Sequence, residues 1–258
     1  MADERRGFLR KTLGGAATFL AGLAAGAGGM HLRKEASRFR PAEVKHSYAQ
    51  QGEDLILWNI ASQFLRFHPI TYLDIGAHQP VVNNNTYLFY ENGYRGVLVE
   101  PNPALWETLA AMRPGDSLLR AGIGIGGPSE ADYYVMNGDG QLNTFSKEMA
   151  ESYPARTGGR YSVQKVIRLP LLDINEVMLK HWGGPPQLLS VDAEGFELPI
   201  LRSLDFGRFR PNVVCVDTLE FGTRRVRVAV LELMGAKGYD VRGGSFVNTI
   251  FVDRRHIL

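Results

Sequence analysis

The sequence predicts an α/β fold built on an open, mostly parallel sheet. Three short apolar runs, rich in leucine, isoleucine and valine, end at acidic residues: Asp74, Glu100 and Asp192. Such runs are typical of strands buried on both faces, and helical patterns separate them. Because the carboxyl ends of parallel strands meet at one edge of a sheet, we expect these acids to face one ligand crevice.

Composition bounds the classes of protein that the chain can belong to. The 258 residues are 45% apolar, which predicts one sizeable domain with an appendage. Residues 1–41 hold eight basic groups against three acids, a charge of +5, and the other 21 basic and 24 acidic residues give −3. The body therefore lacks the basic surface of a nucleic-acid binder. The single cysteine, Cys215, cannot form an internal disulfide.

The N-terminus has the pattern of a targeting segment. Arg5 and Arg6 precede an uncharged stretch at 12–30 that is rich in glycine and alanine. This resembles a twin-arginine export signal, and an uncleaved membrane anchor or a disordered tail are the alternatives. We expect residues 1–30 to be a signal or anchor and 31–45 a basic linker. The protein would then lie at the cytoplasmic face of the inner membrane or be exported by the twin-arginine route.

The main domain is predicted at 46–258 and begins with a helix. Glu53 and Asp54 precede apolar residues at helical spacing through Leu65, so the two acids favour the first turn of a helix or face a ligand. After the first strand, a polar turn at 81–86 leads into a helix from Tyr87 that ends at Asn92 and Gly93.

The pattern then continues as alternating strands and helices. We expect a strand at 96–100, a helix opened by Pro103, a strand at 118–123 and another at 131–136. Later elements are an extended segment at 166–172, a helix capped by Asp173, a strand at 213–217, a helix at 229–234 and a terminal hairpin of 239–242 with 245–252.

Residues 137–165 are rich in glycine, asparagine and serine and show no clear periodicity. Long loops inside compact domains are often functional lids, so we expect this segment to cover an acceptor. Asn143 and Tyr161 are candidate substrate contacts there, together with Asn84 in the polar turn. A mobile surface insertion is the alternative.

The turn after the first strand indicates which ligand the crevice binds. Glu100 lies 24 residues after Gly76, close to the spacing of a carboxylate that binds ribose hydroxyls. Gly76 is not succeeded by the glycines of a dinucleotide fingerprint, which favours a cofactor without phosphates, such as S-adenosylmethionine. We expect the same turn to bring His78 near the methionine moiety of such a cofactor.

A second acidic stretch contains Asp192, Glu194 and Glu197. A carboxylate at a strand end can be desolvated and act as a general base, so Asp192 is the leading candidate and Glu194 its rival. Glu197 either contacts substrate or complements the dipole of the following helix. A divalent metal is conceivable but not expected, and no histidine or cysteine cluster favours zinc.

Several motifs together resemble the FkbM-type methyltransferases, class I S-adenosylmethionine-dependent enzymes. The matching segments cover most of residues 47–252: they are 51–54, 73–77, 96–103, 172–173 and 190–197. The resemblance implies a Rossmann-like, seven-stranded sheet with helices on both faces and an antiparallel last strand. It also implies methyl transfer to hydroxyls of sugars, lipids or polyketides.

The resemblance also implies roles for individual residues. Asp74, Gly76 and Glu100 are expected to hold the donor, with Asn102 in the matching segment beside them, and Asp192 and Glu194 to lie at the active centre. The sequence departs from the family at Pro80, where a second glycine is usual.

Two other classes of function remain open at this point. They are a nicotinamide-dependent oxidoreductase and a non-catalytic exported domain that has kept the fold. The expected partner is a small-molecule or glycan acceptor and not a nucleic acid, with possible membrane attachment through the N-terminus. The sequence does not indicate an oligomeric state.

Overall fold

The computed structural model describes residues 46–257. The predicted signal or anchor and the basic linker, at 1–30 and 31–45, lie outside the described residues. Within residues 46–257, no helix has the length and apolar character needed to cross a membrane.

Ten strands and seven α-helices are assigned within the described residues. The strands are β1 (Thr71–Ile75), β2 (Arg95–Val99), β3 (Ser117–Leu119), β4 (Gly122–Gly124), β5 (Glu130–Met136), β6 (Val163–Asp173), β7 (Leu188–Val191), β8 (Val213–Asp217), β9 (Tyr239–Gly244) and β10 (Asn248–Asp253). The helices are α1 (Glu53–Trp58), α2 (Tyr87–Glu91), α3 (Trp106–Met112), α4 (Lys147–Arg156), α5 (Ile174–Trp182), α6 (Glu197–Ser203) and α7 (Val228–Ala236). A π-helical turn at Asn59–Phe64 continues α1.

Seven strands form the main sheet in the order β3-β2-β1-β7-β8-β10-β9. Its pairs are parallel except those of β10, the last strand, which is antiparallel to both β8 and β9. The predicted seven-stranded, mostly parallel sheet with an antiparallel last strand is therefore confirmed. The chain order reverses between β1 and β7, and in open α/β sheets such a switch point is where the ligand crevice forms.

Helices cover both faces of this sheet, as predicted. Alternate residues of each strand enter opposite cores, because side chains in a strand alternate between the two faces. Leu73 of β1 packs in the core that α5, α6 and α7 cover, and Tyr72 in the core that α1, α2 and α3 cover. The central strands are therefore buried on both sides, which explains their continuous apolar runs.

A smaller sheet of β4, β6 and β5 was not predicted. The expected single strand at 118–123 is wrong: Ser117–Leu119 pairs with β2 in the main sheet, whereas Gly122–Gly124 pairs with the end of β6. The chain leaves the main sheet at Arg120 and Ala121, which lie between these two strands.

The expectation of a long loop at 137–165 is also wrong, because α4 lies within it. Ser146 begins this helix, and its side chain accepts a hydrogen bond from the Met149 amide. The sequence does not predict this helix, because its apolar pattern is weak and Pro154 lies inside it. Ala150 and Tyr153 anchor it in a small apolar cluster.

An unpredicted ion-pair network lies behind β1. Arg113 is only 1% exposed and pairs with Asp116 at 2.7 Å. Its remaining N–H groups donate to the Asn84 side chain, the Tyr72 hydroxyl and the Thr86 hydroxyl. This one guanidinium therefore connects β1 with the polar turn that leads into α2.

We predict that Arg113→Met destabilises the fold strongly. Removing one partner of a buried ion pair leaves an uncompensated charge, here that of Asp116, and costs about 3–5 kcal/mol. Urea unfolding followed by circular dichroism measures this cost. Lys147→Met, in an exposed pair, is the control and should change stability by no more than about 0.5 kcal/mol. An unchanged urea midpoint for Arg113→Met would contradict this account of the network.

Candidate active site

A cavity opens at the carboxyl ends of β1, β2, β7 and β8. Six residues predicted as site residues line it: Gly76, His78, Glu100, Asn143, Asp192 and Glu194. The strand ends thus bring together side chains that are more than a hundred residues apart in the sequence. The predicted crevice lies at the switch point between β1 and β7.

Gly76 fixes how closely the strand ends approach one another. It has φ of +80°, and a Cβ placed there would lie 1.7 Å from the Asp192 carbonyl oxygen. Its amide donates to the Val99 carbonyl at the end of β2. Glycine is therefore required for the backbone contact with the end of β7, in addition to any approach to a ligand.

Glu100 is held in place from both sides. Its Oε2 accepts from the His78 amide and its Oε1 from the Asn102 amide, each at 2.7 Å. Burial raises its pKa to about 7, although both amides act in the opposite direction. Each carboxylate oxygen keeps a lone pair, and the residue lines the cavity, so Glu100 can accept hydrogen bonds from a ligand.

Asp74 does not line the cavity. Its Oδ2 accepts from the Thr86 hydroxyl at 2.7 Å, and the side chain is buried beside the Arg113 network. Burial raises its pKa, and the positive charge of Arg113 lowers it. The structure therefore places this predicted donor-binding residue behind the cavity wall, on the side of the sheet that α2 and α3 cover.

Four other predicted site residues also lie outside the lining, and they are Asn84, Asn102, Tyr161 and Glu197. Asn84 donates to the Ala77 and Gln79 carbonyls and so shapes the turn after β1. The Asn102 side chain accepts from the Ala104 amide. Tyr161 lies against Gly138, at the base of the 137–165 segment. The side chains of Asn84 and Asn102 thus support turns that carry lining residues of the cavity.

The acids that come after β7 are arranged differently from one another. Glu197 is fully buried, and its Oε1 accepts from the amides of Ala193 and Gly195 while Arg227 pairs with its Oε2. It stabilises the turn and does not line the cavity. Glu194 lines the cavity with φ of +45°, a conformation unusual for a residue other than glycine.

Asp192 and Glu194 carry strongly perturbed carboxyl groups. Burial raises the pKa of both residues well above the usual range. Neighbouring negative charges raise it further, from Asp217 and Glu197 at Asp192, and from Asp192 and Glu197 at Glu194. Clefts with such groups are candidate functional sites.

Asp217 and Asn248 line the same cavity and were not predicted as site residues. Asp217 ends β8 just as Asp192 comes directly after β7. The pattern of an apolar strand that ends in an acid could therefore have predicted Asp217 as well. Burial raises its pKa to about 6, and the charge of Glu197 acts in the same direction. Asn248 had no local signal, because only the pairing of β10 with β8 brings it opposite Asp217.

Two buried polar atoms of lining residues have no partner in the described part of the chain. They are Nδ2 of Asn143, a donor, and Oδ1 of Asn248, an acceptor, and each residue is 5% exposed. Buried polar groups are nearly always hydrogen-bonded in folded proteins. These two atoms therefore mark places where a ligand can supply the missing partner.

Comparison with solved structures finds distant similarities. A TehB-like SAM-dependent methyltransferase from Corynebacterium glutamicum is 12% identical, with 87% of this chain and 98% of that chain covered and a TM-score of 0.41. A precorrin-6y C5,15-methyltransferase from Geobacter metallireducens is also 12% identical, with 83% of this chain and 94% of that chain covered and a TM-score of 0.41. A 1,6-didemethyltoxoflavin-N1-methyltransferase from Burkholderia thailandensis is 11% identical, with 78% of this chain and 75% of that chain covered and a TM-score of 0.39. No curated protein matches the chain significantly.

Comparison with protein families gives a match over most of the described domain. The Methyltransferase FkbM domain matches residues 74–241, which is well over half of the chain and runs from the end of β1 into β9. The matched region contains Glu100, Asp192, Glu194 and Asp217. The chain therefore belongs to the FkbM methyltransferase domain family, as its sequence motifs indicated.

Proposed function

We propose that the protein is an S-adenosylmethionine-dependent O-methyltransferase that acts on a hydroxyl group of a small-molecule or glycan acceptor. The observation that carries this proposal is the charge of the cavity. Glu100, Asp192, Glu194 and Asp217 line it, and no lysine or arginine is among the described lining residues. Such a cavity suits a ligand with positive charges and hydroxyl groups, and it disfavours a phosphate-bearing cofactor.

The residues that line the cavity match the chemical groups of the methyl donor one by one. Glu100, fixed by two backbone amides, accepts hydrogen bonds from the two ribose hydroxyls. The acidic walls favour the sulfonium and ammonium cations. The Nδ2 atom of Asn143 can donate to the adenosine, since it has no partner within the described residues and lies beside Gly140, as the Asn102 side chain does. When bound, S-adenosylmethionine supplies an electrophilic methyl group.

We place the acceptor at the other end of the cavity, beside Asp192 and Glu194. A carboxylate there accepts the proton of a hydroxyl group and orients its oxygen toward the donor end. The backbone contact between Gly76 and Asp192 joins the two halves of the site. The sequence Asp192-Ala193-Glu194-Gly195 also differs from the Asn/Asp-Pro-Pro-aromatic motif of methyltransferases that modify nucleic-acid amines.

Part of the predicted lid forms a wall of the cavity. Gly140, Gln141, Asn143 and Thr144 line it, and the Thr144 hydroxyl donates to the Glu194 carbonyl at 2.9 Å. We propose that this segment covers the bound ligands and limits the access of water, which strengthens the electrostatic interactions inside.

Glu100→Gln should weaken binding of S-adenosylmethionine by about 10- to 100-fold, because a neutral amide accepts ribose hydroxyls less strongly and its NH₂ opposes the backbone amides. Isothermal titration calorimetry measures the change. Glu130→Gln, which alters an exposed acid on β5, is the matched control and should bind like the wild type. Equal affinities for Glu100→Gln and the wild type would refute the assignment of Glu100 to the donor.

Donor affinity should also depend on pH. The pKa of Glu100 is raised to about 7, so the ionised form that accepts hydrogen bonds best is lost as the pH falls through neutrality. The dissociation constant should therefore increase between pH 8 and pH 6, by up to about tenfold per unit below the pKa. Calorimetry of the wild type and Glu100→Gln tests this, since the variant should lack this dependence.

Asp192→Asn should lower kcat by about 10²- to 10⁴-fold, because the amide cannot accept the proton. It should weaken donor binding less than Glu100→Gln does, because the contacts to the ribose remain. The assay follows transfer of a labelled methyl group to extracted cell-envelope glycans and lipids, with product identification by mass spectrometry. Asp132→Asn, which alters an exposed acid on β5, is the control. Wild-type turnover by Asp192→Asn would remove this residue from the mechanism.

A further inference from the structure

The acceptor end of the cavity has the geometry of a cation site. One carboxylate oxygen from each of Asp192, Glu197 and Asp217 lies within 4.8 Å of the other two. Two ligands on opposite sides of a hard divalent cation lie roughly 4 to 5 Å apart, because metal–oxygen distances are about 2.0–2.6 Å. A single ion can therefore reach this set of oxygens.

The three acids differ in how much positive charge already balances them. Arg227 and two backbone amides satisfy Glu197. Asp192 accepts no hydrogen bond through its side chain from residues 46–257, and Asp217 accepts one, from the Leu219 amide. Two carboxylates thus face the cavity without a basic partner, although buried charges are normally paired or bound to a metal.

An independent observation comes from Asn248. This residue lies directly opposite Asp217 in the antiparallel pairing of β10 with β8, so the two side chains share one face of the sheet. Its Nδ2 donates to Glu53 at 3.0 Å, which turns Oδ1 away from that acid. Oδ1 is the buried atom without a partner, and Asn248 lines the cavity that contains Asp192 and Asp217.

These atoms share one chemistry, since all are oxygen acceptors, and among residues 46–257 the only donor to them is the Leu219 amide, which bonds to one oxygen of Asp217. Carboxylate and amide oxygens are the ligands that magnesium, manganese and calcium ions prefer, whereas zinc prefers histidine and cysteine. We propose that Asp192, Asp217 and the Oδ1 atom of Asn248 bind one divalent cation of the magnesium or manganese type. This revises the expectation from the sequence that the site holds no metal.

The role of the cation rests on the proposed function, but its binding does not. Three protein ligands leave positions open in an octahedral shell. At the acceptor end, those positions suit two neighbouring oxygens of the acceptor, such as a vicinal diol. The ion would orient the hydroxyl group and stabilise its deprotonated form. Glu194, which lines the cavity and is not one of the three ligands, would then accept the proton.

The experiment measures Mn²⁺ binding to the full chain after treatment with a chelator, without acceptor. Loss of the electron paramagnetic resonance signal of free Mn²⁺ reports the bound fraction. We expect one ion per chain, and an affinity at least about tenfold lower for Asp217→Asn and severalfold lower for Asn248→Ala, because each variant removes an inner-sphere ligand. Asp132→Asn, an exposed acid on β5, should bind like the wild type.

Circular dichroism and urea unfolding establish that each variant is folded, and Asn248→Ala keeps the test decisive if Asp217→Asn does not fold. Absence of stoichiometric Mn²⁺ binding at millimolar concentration would overturn the proposal. Wild-type affinity in both variants would overturn it as well. Calorimetry with S-adenosylmethionine on the same metal-free protein separates the two proposals, because donor binding without Mn²⁺ binding leaves the proposed function intact and removes only the cation.

Discussion

The whole site depends on a close backbone contact between the turn after β1 and the residue directly after β7. The Asp192 amide donates to the Ile75 carbonyl at 2.9 Å, and the Asp192 carbonyl occupies the space where a side chain on residue 76 would lie. Because Gly76 also bonds to Val99, the ends of three strands are fixed by one turn. Side chains that extend beyond those ends, including Glu100 and Asp192, are thereby held around one cavity.

The buried acids fall into two groups, those behind the cavity, which have hydrogen-bond and ion-pair partners, and those that line it, which have few. Behind the cavity, the structural acids are satisfied: Asp116 pairs with Arg113, and Glu197 with Arg227 and two amides. Inside it, Asp192, Glu194 and Asp217 are left largely without donors, and burial raises the pKa of each. Stability alone would not favour such an arrangement, which is typical of functional sites.

The sequence predicted the main sheet and the acids at its edge because both depend on local patterns. Apolar strands that end in an acid indicate Asp74, Glu100 and Asp192 from the sequence alone. The same pattern does not indicate which side of the sheet each acid faces. Asp74 was therefore expected in the cavity but lies behind its wall, bonded to Thr86. Arg113 and Asn248 acquire their roles through pairings across 41 residues or more along the chain, to Tyr72 and Glu53, and α4 is held by packing that its own pattern does not show.

The central claim is that this cavity binds the donor with its ribose at Glu100 and its sulfur near Asp192. A crystal structure of the full chain with S-adenosylhomocysteine tests it most directly. We expect both ribose hydroxyls within hydrogen-bond distance of the Glu100 carboxylate, and the sulfur on the side of the cavity that leads to Asp192 and Glu194. A ligand bound elsewhere, or with its ribose away from Glu100, would contradict the account.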